Sequence, residues 1–202
     1  MRLQLACLTI LIGFIVATAT QQNCSADIIE FIVTGAAGDG LLEGNIDPPT
    51  GEAGTGGIGA TGITFNTDNN LLHIDVEWGS ANGYTDLSED VFRLHLHGPT
   101  ADSFDAAFGQ VAPLLITLSG SSTFDASASS GGVNDNFLLD PSNVQHLLDG
   151  RTYINVHLND TDTGVIRGYI QQAVPEPGSA MVILPLAIGT CLRRRRRPTK
   201  KA

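Results

Sequence analysis

The sequence predicts an all-β fold: an antiparallel β-sandwich or barrel-like sheet of Greek-key type, with at most one short helix. A signal peptide and a C-terminal membrane helix are predicted to flank it. Three observations carry this expectation. Short runs of β-branched and aromatic residues recur along the middle of the chain, several alternating apolar and polar with a period of two. Glycine-rich stretches join them, drawing on 23 glycines in 202 residues. There is no alternation of strands with long amphipathic helices, so a parallel nucleotide-binding sheet is not expected.

The elements follow in chain order. Met1 and Arg2 precede an almost wholly apolar run, Leu3 to Ala19, which ends in the small-residue site Ala17-Thr18-Ala19. Residues 1–19 therefore read as a secretory signal and residues 20–27 as a linker. The β-domain is placed at 28–172. Its strands are expected at Ile28–Thr34, Ile58–Asn66, Leu71–Trp78, Phe92–His97, Val111–Leu118, Tyr153–Leu158 and Val165–Gln171. In Leu71–Trp78, His73, Asp75 and Glu77 alternate with Leu72, Ile74, Val76 and Trp78, which describes one wet face and one dry face. Asp140-Pro141-Ser142-Asn143 suits the start of a helix over Pro141–Leu148, with Gly150 as its stop. Gly35–Gly57 and Ser119–Gly132 read as loops. Cys24 is the one cysteine between the two ends, so this domain is expected to hold without a disulfide. About 145 residues suffice for one such core.

Residues 173–202 form a distinct tail. Val174-Pro175-Glu176-Pro177-Gly178 precedes an apolar stretch from Ser179 to Leu192, then Arg193 to Arg197 with Lys200 and Lys201. A helix over 179–192 rises about 1.5 Å per residue and so spans about 21 Å. That is short of a hydrocarbon core of about 30 Å, a gap that snorkelling arginines and local thinning close. The basic end, 193–201, stays cytoplasmic and leaves the rest of the chain outside. The order of Pro175-Glu176-Pro177, short apolar helix and Arg193-Arg194-Arg195 resembles the PEP-CTERM sorting signal of Gram-negative bacteria. That resemblance implies an exosortase-like enzyme of the inner membrane as a processing partner beside signal peptidase, and a secreted, cell-surface or matrix location.

Charge is partitioned in the same way. Seven of the eleven basic residues lie in the tail, whereas all 21 acidic residues lie between Asp27 and Gly178. Against these stand only Arg93, Arg151 and Arg167, a formal net charge of −18. Such a surface repels nucleic acid and anionic lipid and suits solubility outside the cell.

Four segments carry a family resemblance. They are Leu42-Glu43-Gly44-Asn45 with Pro48-Pro49 and the glycines at 54, 57 and 59; His95-Leu96-His97-Gly98-Pro99; Leu147-Leu148-Asp149-Gly150-Arg151-Thr152-Tyr153-Ile154-Asn155-Val156-His157; and Gly164-Val165-Ile166-Arg167-Gly168-Tyr169-Ile170. In this order they resemble the CHRD domain, named from chordin and widespread in bacterial exported proteins. The resemblance runs from about Phe31 to Gln171. It implies that Gly98, Pro99, Gly150, Tyr153, Asn155, Arg167 and Gly168 are structural, and that the domain is a non-enzymatic extracellular module of undefined molecular role; delivered to the outer surface or matrix, it is expected to contact protein or polysaccharide. Two positions depart from the pattern: Val165 stands where the family often has Glu, and Asp160-Thr161-Asp162 where proline is usual.

The histidines allow two readings. His95 and His97, two apart on one strand, share a face, as do Asn155 and His157. If those strands are neighbours, three imidazoles converge in a set suited to zinc or copper with a fourth position open. His-x-His on a β-sheet is also loosely similar to the metal strand of copper–zinc superoxide dismutase. That family's further His and Asp ligands and its disulfide cannot be placed here. The other reading is a scaffold role, with the imidazoles bonded to Asn155, Arg167 or backbone carbonyls, and no cofactor. His73 is a spare candidate and His146 is expected on the helix surface. Asn159–Gly164 is oxygen-rich but suits a turn. There is no Gly-x-Ser-x-Gly elbow, no Cys–His pair in the domain and no phosphate-loop lysine, so a catalytic role is not expected.

Overall fold

Alternation along the strands decides which side of the sheet becomes the core. The structure, a computed structural model, describes residues 27–46, 51, 54–102, 110–158 and 164–174. Within them lie β1 (Ile28–Thr34), β2 (Leu41–Leu42), β3 (Thr55–Asn66), β4 (Leu71–Trp78) and β5 (Val91–His97). After these come β6 (Leu114–Thr117), β7 (Gly132–Leu138), the helix α1 (Pro141–Leu148), β8 (Tyr153–Leu158) and β9 (Ile166–Gln172). On β4 the apolar set Leu72, Ile74, Val76 and Trp78 is wholly buried, as its period of two requires. Phe31 and Val33 of β1, Leu94 and Leu96 of β5, Ile154 and Val156 of β8, and Ile166 and Ile170 of β9 join the same cluster.

All strands belong to one antiparallel sheet in the order β6-β5-β8-β9-β1-β3-β4-β7, with β2 bridging β3 and β9. Because β4 and β5 share one core although far apart in this order, the sheet curls around it. The gap between the outermost strands is spanned by residues 118–132. There Leu118 is buried, the Val91 N–H donates to the Ala126 carbonyl at 2.7 Å, and the Trp78 indole N–H donates to the Ser127 carbonyl at 2.8 Å. An all-β antiparallel fold with one short α-helix is thus realised, its strands forming one connected sheet among the described residues.

The glycine-rich entry to β3 has a local cause. Between Ile58 and Ile63 the pairing with β4 shifts register, and Gly62 takes a left-handed φ of 78°. The bulge turns Thr61 so that its N–H and O–H both donate to Asp75 Oδ2, at 2.7 and 2.8 Å. Helix α1 begins as expected. The Asp140 carboxylate accepts from the Ser142 N–H and O–H at 2.8 and 2.6 Å, Pro141 opens the first turn, and Gly150 follows the end at φ 68°.

Several boundaries differ from expectation. β3 starts at Thr55 inside the expected loop, and the Val111–Leu118 strand shrinks to β6. β2 and β7 were not predicted. Asn134, Asp135 and Asn136 are turn formers, yet β7 pairs with β4 over seven positions, because an edge strand needs only Val133 and Phe137 to face the core. No helix among the described residues is long and apolar enough to cross a membrane. Residues 1–26 and 175–202 lie outside the described residues, and with them the expected signal, most of the linker, Pro175, Glu176, Pro177, the helix 179–192 and Arg193, Arg194 and Arg195. Pro48, Pro49 and 159–163 also lie outside.

Candidate histidine cluster

If the inward residues of β5, β8 and β9 are Leu94, Leu96, Ile154, Val156, Ile166 and Ile170, the alternate positions must face the other way. These are His95 and His97, then Tyr153, Asn155 and His157, then Arg167 and Tyr169. Pairing places His97 opposite Tyr153, His95 opposite Asn155, Arg93 opposite His157 and Arg167 opposite Asn155. So the polar motif residues line the outer side of three adjacent strands. An outer face is expected to be wet, yet Tyr153, Asn155, His157, Arg167 and Tyr169 are each at most 5% exposed. The segment after β5 returns across them: Ala112 packs with Tyr153 and Tyr169, the Ala112 N–H donates to the Tyr153 hydroxyl at 3.1 Å, and Arg167 Nη1 donates to the Gln110 carbonyl at 3.2 Å.

Three imidazoles meet under this cover. One ring nitrogen from each of His95, His97 and His157 lies within 4.8 Å of the others. The ring centroids are 5.4 Å apart for His95 and His97, 4.9 Å for His95 and His157, and 6.1 Å for His97 and His157. His97 lies flat on Tyr153 at 5.2 Å, and the Arg167 guanidinium sits 4.1 Å from the Tyr153 ring centre. His97 Nδ1 is 3.0 Å from the Ala112 carbonyl oxygen, which can only accept. The proton therefore resides on Nδ1, and Nε2 presents a lone pair. Asn155 Nδ2 lies 3.1 Å from His157 Nε2 and orients that ring.

Burial and neighbouring positive charge favour the neutral form of two of these rings. Burial pushes the His95 imidazole below the ordinary histidine range, and the neighbouring His97 and Arg93 push it the same way. Burial also lowers His97; Arg167 adds to the shift and the hydrogen bond to Ala112 opposes it. Burial raises the Tyr169 phenol in spite of the nearby Arg167. Four buried polar atoms lack a hydrogen-bond partner among the described residues: His97 Nε2, Thr152 Oγ1, Asn155 Oδ1 and Arg167 Nε. All four belong to this layer or adjoin it in sequence. Chemically the cluster offers neutral nitrogen donors without a carboxylate, a set suited to late first-row transition ions rather than to calcium or magnesium.

The residues expected to be structural fall around this layer. The Gly98–Pro99 peptide is cis and turns the chain out of β5. A Cβ on Gly168 would stand 2.1 Å from Val33 Cγ1 and 2.7 Å from the Gly40 carbonyl oxygen, so the close approach of β1, β2 and β9 requires glycine there. Val165, the departure from the family's Glu, is buried in the apolar core. His73 lies away from the cluster, with Nε2 2.8 Å from Thr61 Oγ1, and His146 is on α1 beside Arg151. The sequence reading did not single out Asn45, which is fully buried; its amide accepts from the Ala37 N–H and donates to the Arg167 carbonyl, each at 2.9 Å. Its place in the Leu42–Asn45 segment was the available signal. Ala112 and Gln110 were not identifiable, since they act through their main chains.

A curled antiparallel sheet with a covered layer of His, Asn, Tyr and Arg on its outer side defines the class: a small β-module organised around its motif residues. The CHRD domain family matches residues 40–170, which is well over half of the chain, and the protein belongs to that family. No curated protein and no solved structure matches it.

Proposed function

We propose that this CHRD protein is an exported, non-catalytic module displayed at the cell surface or in the extracellular matrix of a Gram-negative-type bacterium, where it contacts protein or polysaccharide. The observation that carries the reading is the partition of charge and apolarity: a body with 21 acidic residues and three arginines between an apolar N-terminal run and an apolar, arginine-ended tail. In this reading residues 1–19 are removed by signal peptidase. An exosortase-like enzyme acts near Pro175–Pro177 once the 179–192 segment has entered the membrane. The absence of a catalytic role is supported by the burial of the motif side chains: Tyr153 accepts from the Ala112 N–H and carries Arg167, Arg167 donates to the Gln110 carbonyl, and Asn155 donates to His157.

The test is intact-mass analysis of the native protein recovered from the outside of the cell. The expected form lacks residues up to about Ala19 and those beyond the Pro-Glu-Pro site. Recovery of the intact chain, folded and soluble in the cytoplasm, would overturn the proposal.

A further inference from the structure

We propose that His95, His97 and His157 form a binding site for one zinc or copper ion, with the Ala112 carbonyl orienting His97. This goes beyond the surface-module reading and does not depend on export or on processing of either end.

The argument starts from position. A tetrahedral ion holding nitrogens at about 2.0–2.1 Å sets them about 3.4 Å apart. The three nitrogens already lie within 4.8 Å of one another, so closure requires ring shifts of little more than an ångström. His95, half-buried near the rim, is the ring with room to make them. His157 is buried at 5% exposure, and His97 is pinned by Tyr153 beneath it. Two strands of fixed register carry all three, so no loop rearrangement is needed to assemble the set.

The second line is the protonation pattern on His97. A histidine ligand commonly donates its remote N–H to a carbonyl, which fixes the tautomer and aims the other nitrogen at the metal. His97 has this arrangement: Nδ1 faces the Ala112 carbonyl at 3.0 Å, and Nε2 is a buried acceptor without a partner among the described residues. Packing alone gives no reason to leave such an atom unpaired, since an unmet buried group costs about 1–3 kcal/mol. A metal ion satisfies it. At His157 the Asn155 amide N–H donates to Nε2 at 3.1 Å, so a metal bond at that nitrogen takes the place of this hydrogen bond.

The third line is selectivity. Three imidazoles with no carboxylate among them favour zinc or copper and offer little to calcium or magnesium. Three protein ligands leave a fourth position for water or a small anion, and the Arg167 guanidinium stacked on the far partner of His97 supplies positive charge nearby.

The experiment uses the full-length chain in mild detergent, without a histidine tag, stripped with chelator and then dialysed separately against zinc, copper(II) and calcium. Bound metal per chain is measured after gel filtration, with thermal unfolding followed by the fluorescence of Trp78, the only tryptophan. About one equivalent of zinc or copper is expected, little calcium, and a rise in Tm that chelator reverses. His146→Gln should retain the metal, whereas His97→Gln and His157→Gln should weaken binding at least about tenfold. Because those two positions are buried, His95→Gln serves as a gentler variant. It should keep the metal-free Tm while losing the metal-induced rise. Cobalt(II) substitution gives an independent readout, an intense visible band of a four-coordinate site that each of the three changes abolishes. Less than about a tenth of an equivalent of either metal in the wild type, or binding unchanged in His95→Gln and His97→Gln, would overturn the proposal.

Discussion

Tyr153 is the residue on which the covered layer turns, and replacing it in two ways separates what its hydroxyl and its ring contribute. Tyr153→Phe removes only the oxygen that accepts from the buried Ala112 N–H at 3.1 Å. With no water able to enter a site 1% exposed, the N–H is left unmet, at a cost of about 1–3 kcal/mol. Tyr153→Leu removes the ring as well. The ring stacks on His97 at 5.2 Å, tilts against Tyr169 at 5.4 Å and carries Arg167 at 4.1 Å. Aromatic pairs contribute about 0.5–1.5 kcal/mol each and a desolvated cation over a ring up to about 2 kcal/mol. Tyr153→Leu should therefore lie about 2–4 kcal/mol below Tyr153→Phe. Urea unfolding of the chelator-treated protein, read by Trp78 fluorescence, gives both values in the absence of metal. If Tyr153→Leu lies within about 1 kcal/mol of Tyr153→Phe, the rings do not hold the layer together and the account of its burial fails.

Two further outcomes follow from contacts elsewhere. Asn45→Ala deprives the buried Arg167 carbonyl of its amide donor, while the Ala37 N–H, near solvent, turns to water; a loss of about 2 kcal/mol, or a Tm lower by about 4–8 °C in calorimetry, is expected, and an unchanged Tm would remove Asn45 as the clamp on β9. The Ser142 O–H and N–H hold the Asp140 carboxyl below the usual aspartate range. Its folded pKa is thus below the unfolded one, so its stabilisation is full above the ordinary aspartate pKa and is lost as pH falls through the lower folded value. The Tm gap between wild type and Asp140→Ala should accordingly be constant above about pH 5 and narrow below about pH 4, and a gap indifferent to pH would mean that the charge on the cap contributes nothing.

Periodicity made much of this fold readable. The alternation in Leu71–Trp78 names the core face of β4 residue by residue, and the spacing of His95, His97, Asn155 and His157 places each pair on one side of its strand. What spacing could not supply was strand order. Convergence of the three imidazoles required β5 beside β8, a long-range pairing fixed by the common core rather than by any local signal. β7 escaped for a related reason: Asn134-Asp135-Asn136 reads as a turn, and only the partner strand β4 makes it extended. The covering of the outer face was also hidden, because the contacts come through the main chain at Gln110 and Ala112, which any side chain could occupy.

That covering bears on what the family's residues do. A domain that needed only a stable sheet would place its recurrent residues in the apolar core, where Leu94, Leu96, Ile154 and Val156 already suffice. Instead His95, His97, Tyr153, Asn155, His157 and Arg167 lie on the opposite side, where burial of polar groups opposes folding unless they are paired. They are paired incompletely. His97 Nε2, Asn155 Oδ1 and Arg167 Nε are unmatched among the described residues, and the neighbouring Thr152 Oγ1 makes a fourth. Unmatched buried groups scattered over a sheet would be ordinary imperfections; gathered on three adjacent strands, they mark a layer whose hydrogen-bonding capacity exceeds what the described residues supply. The excess is of both kinds, lone pairs at His97 and Asn155 and an N–H at Arg167, so a cation alone does not answer it. An ion on the imidazoles would take the lone pair at His97, so the proposed metal site belongs to the outer layer of β5, β8 and β9 rather than to the exposed acidic surface.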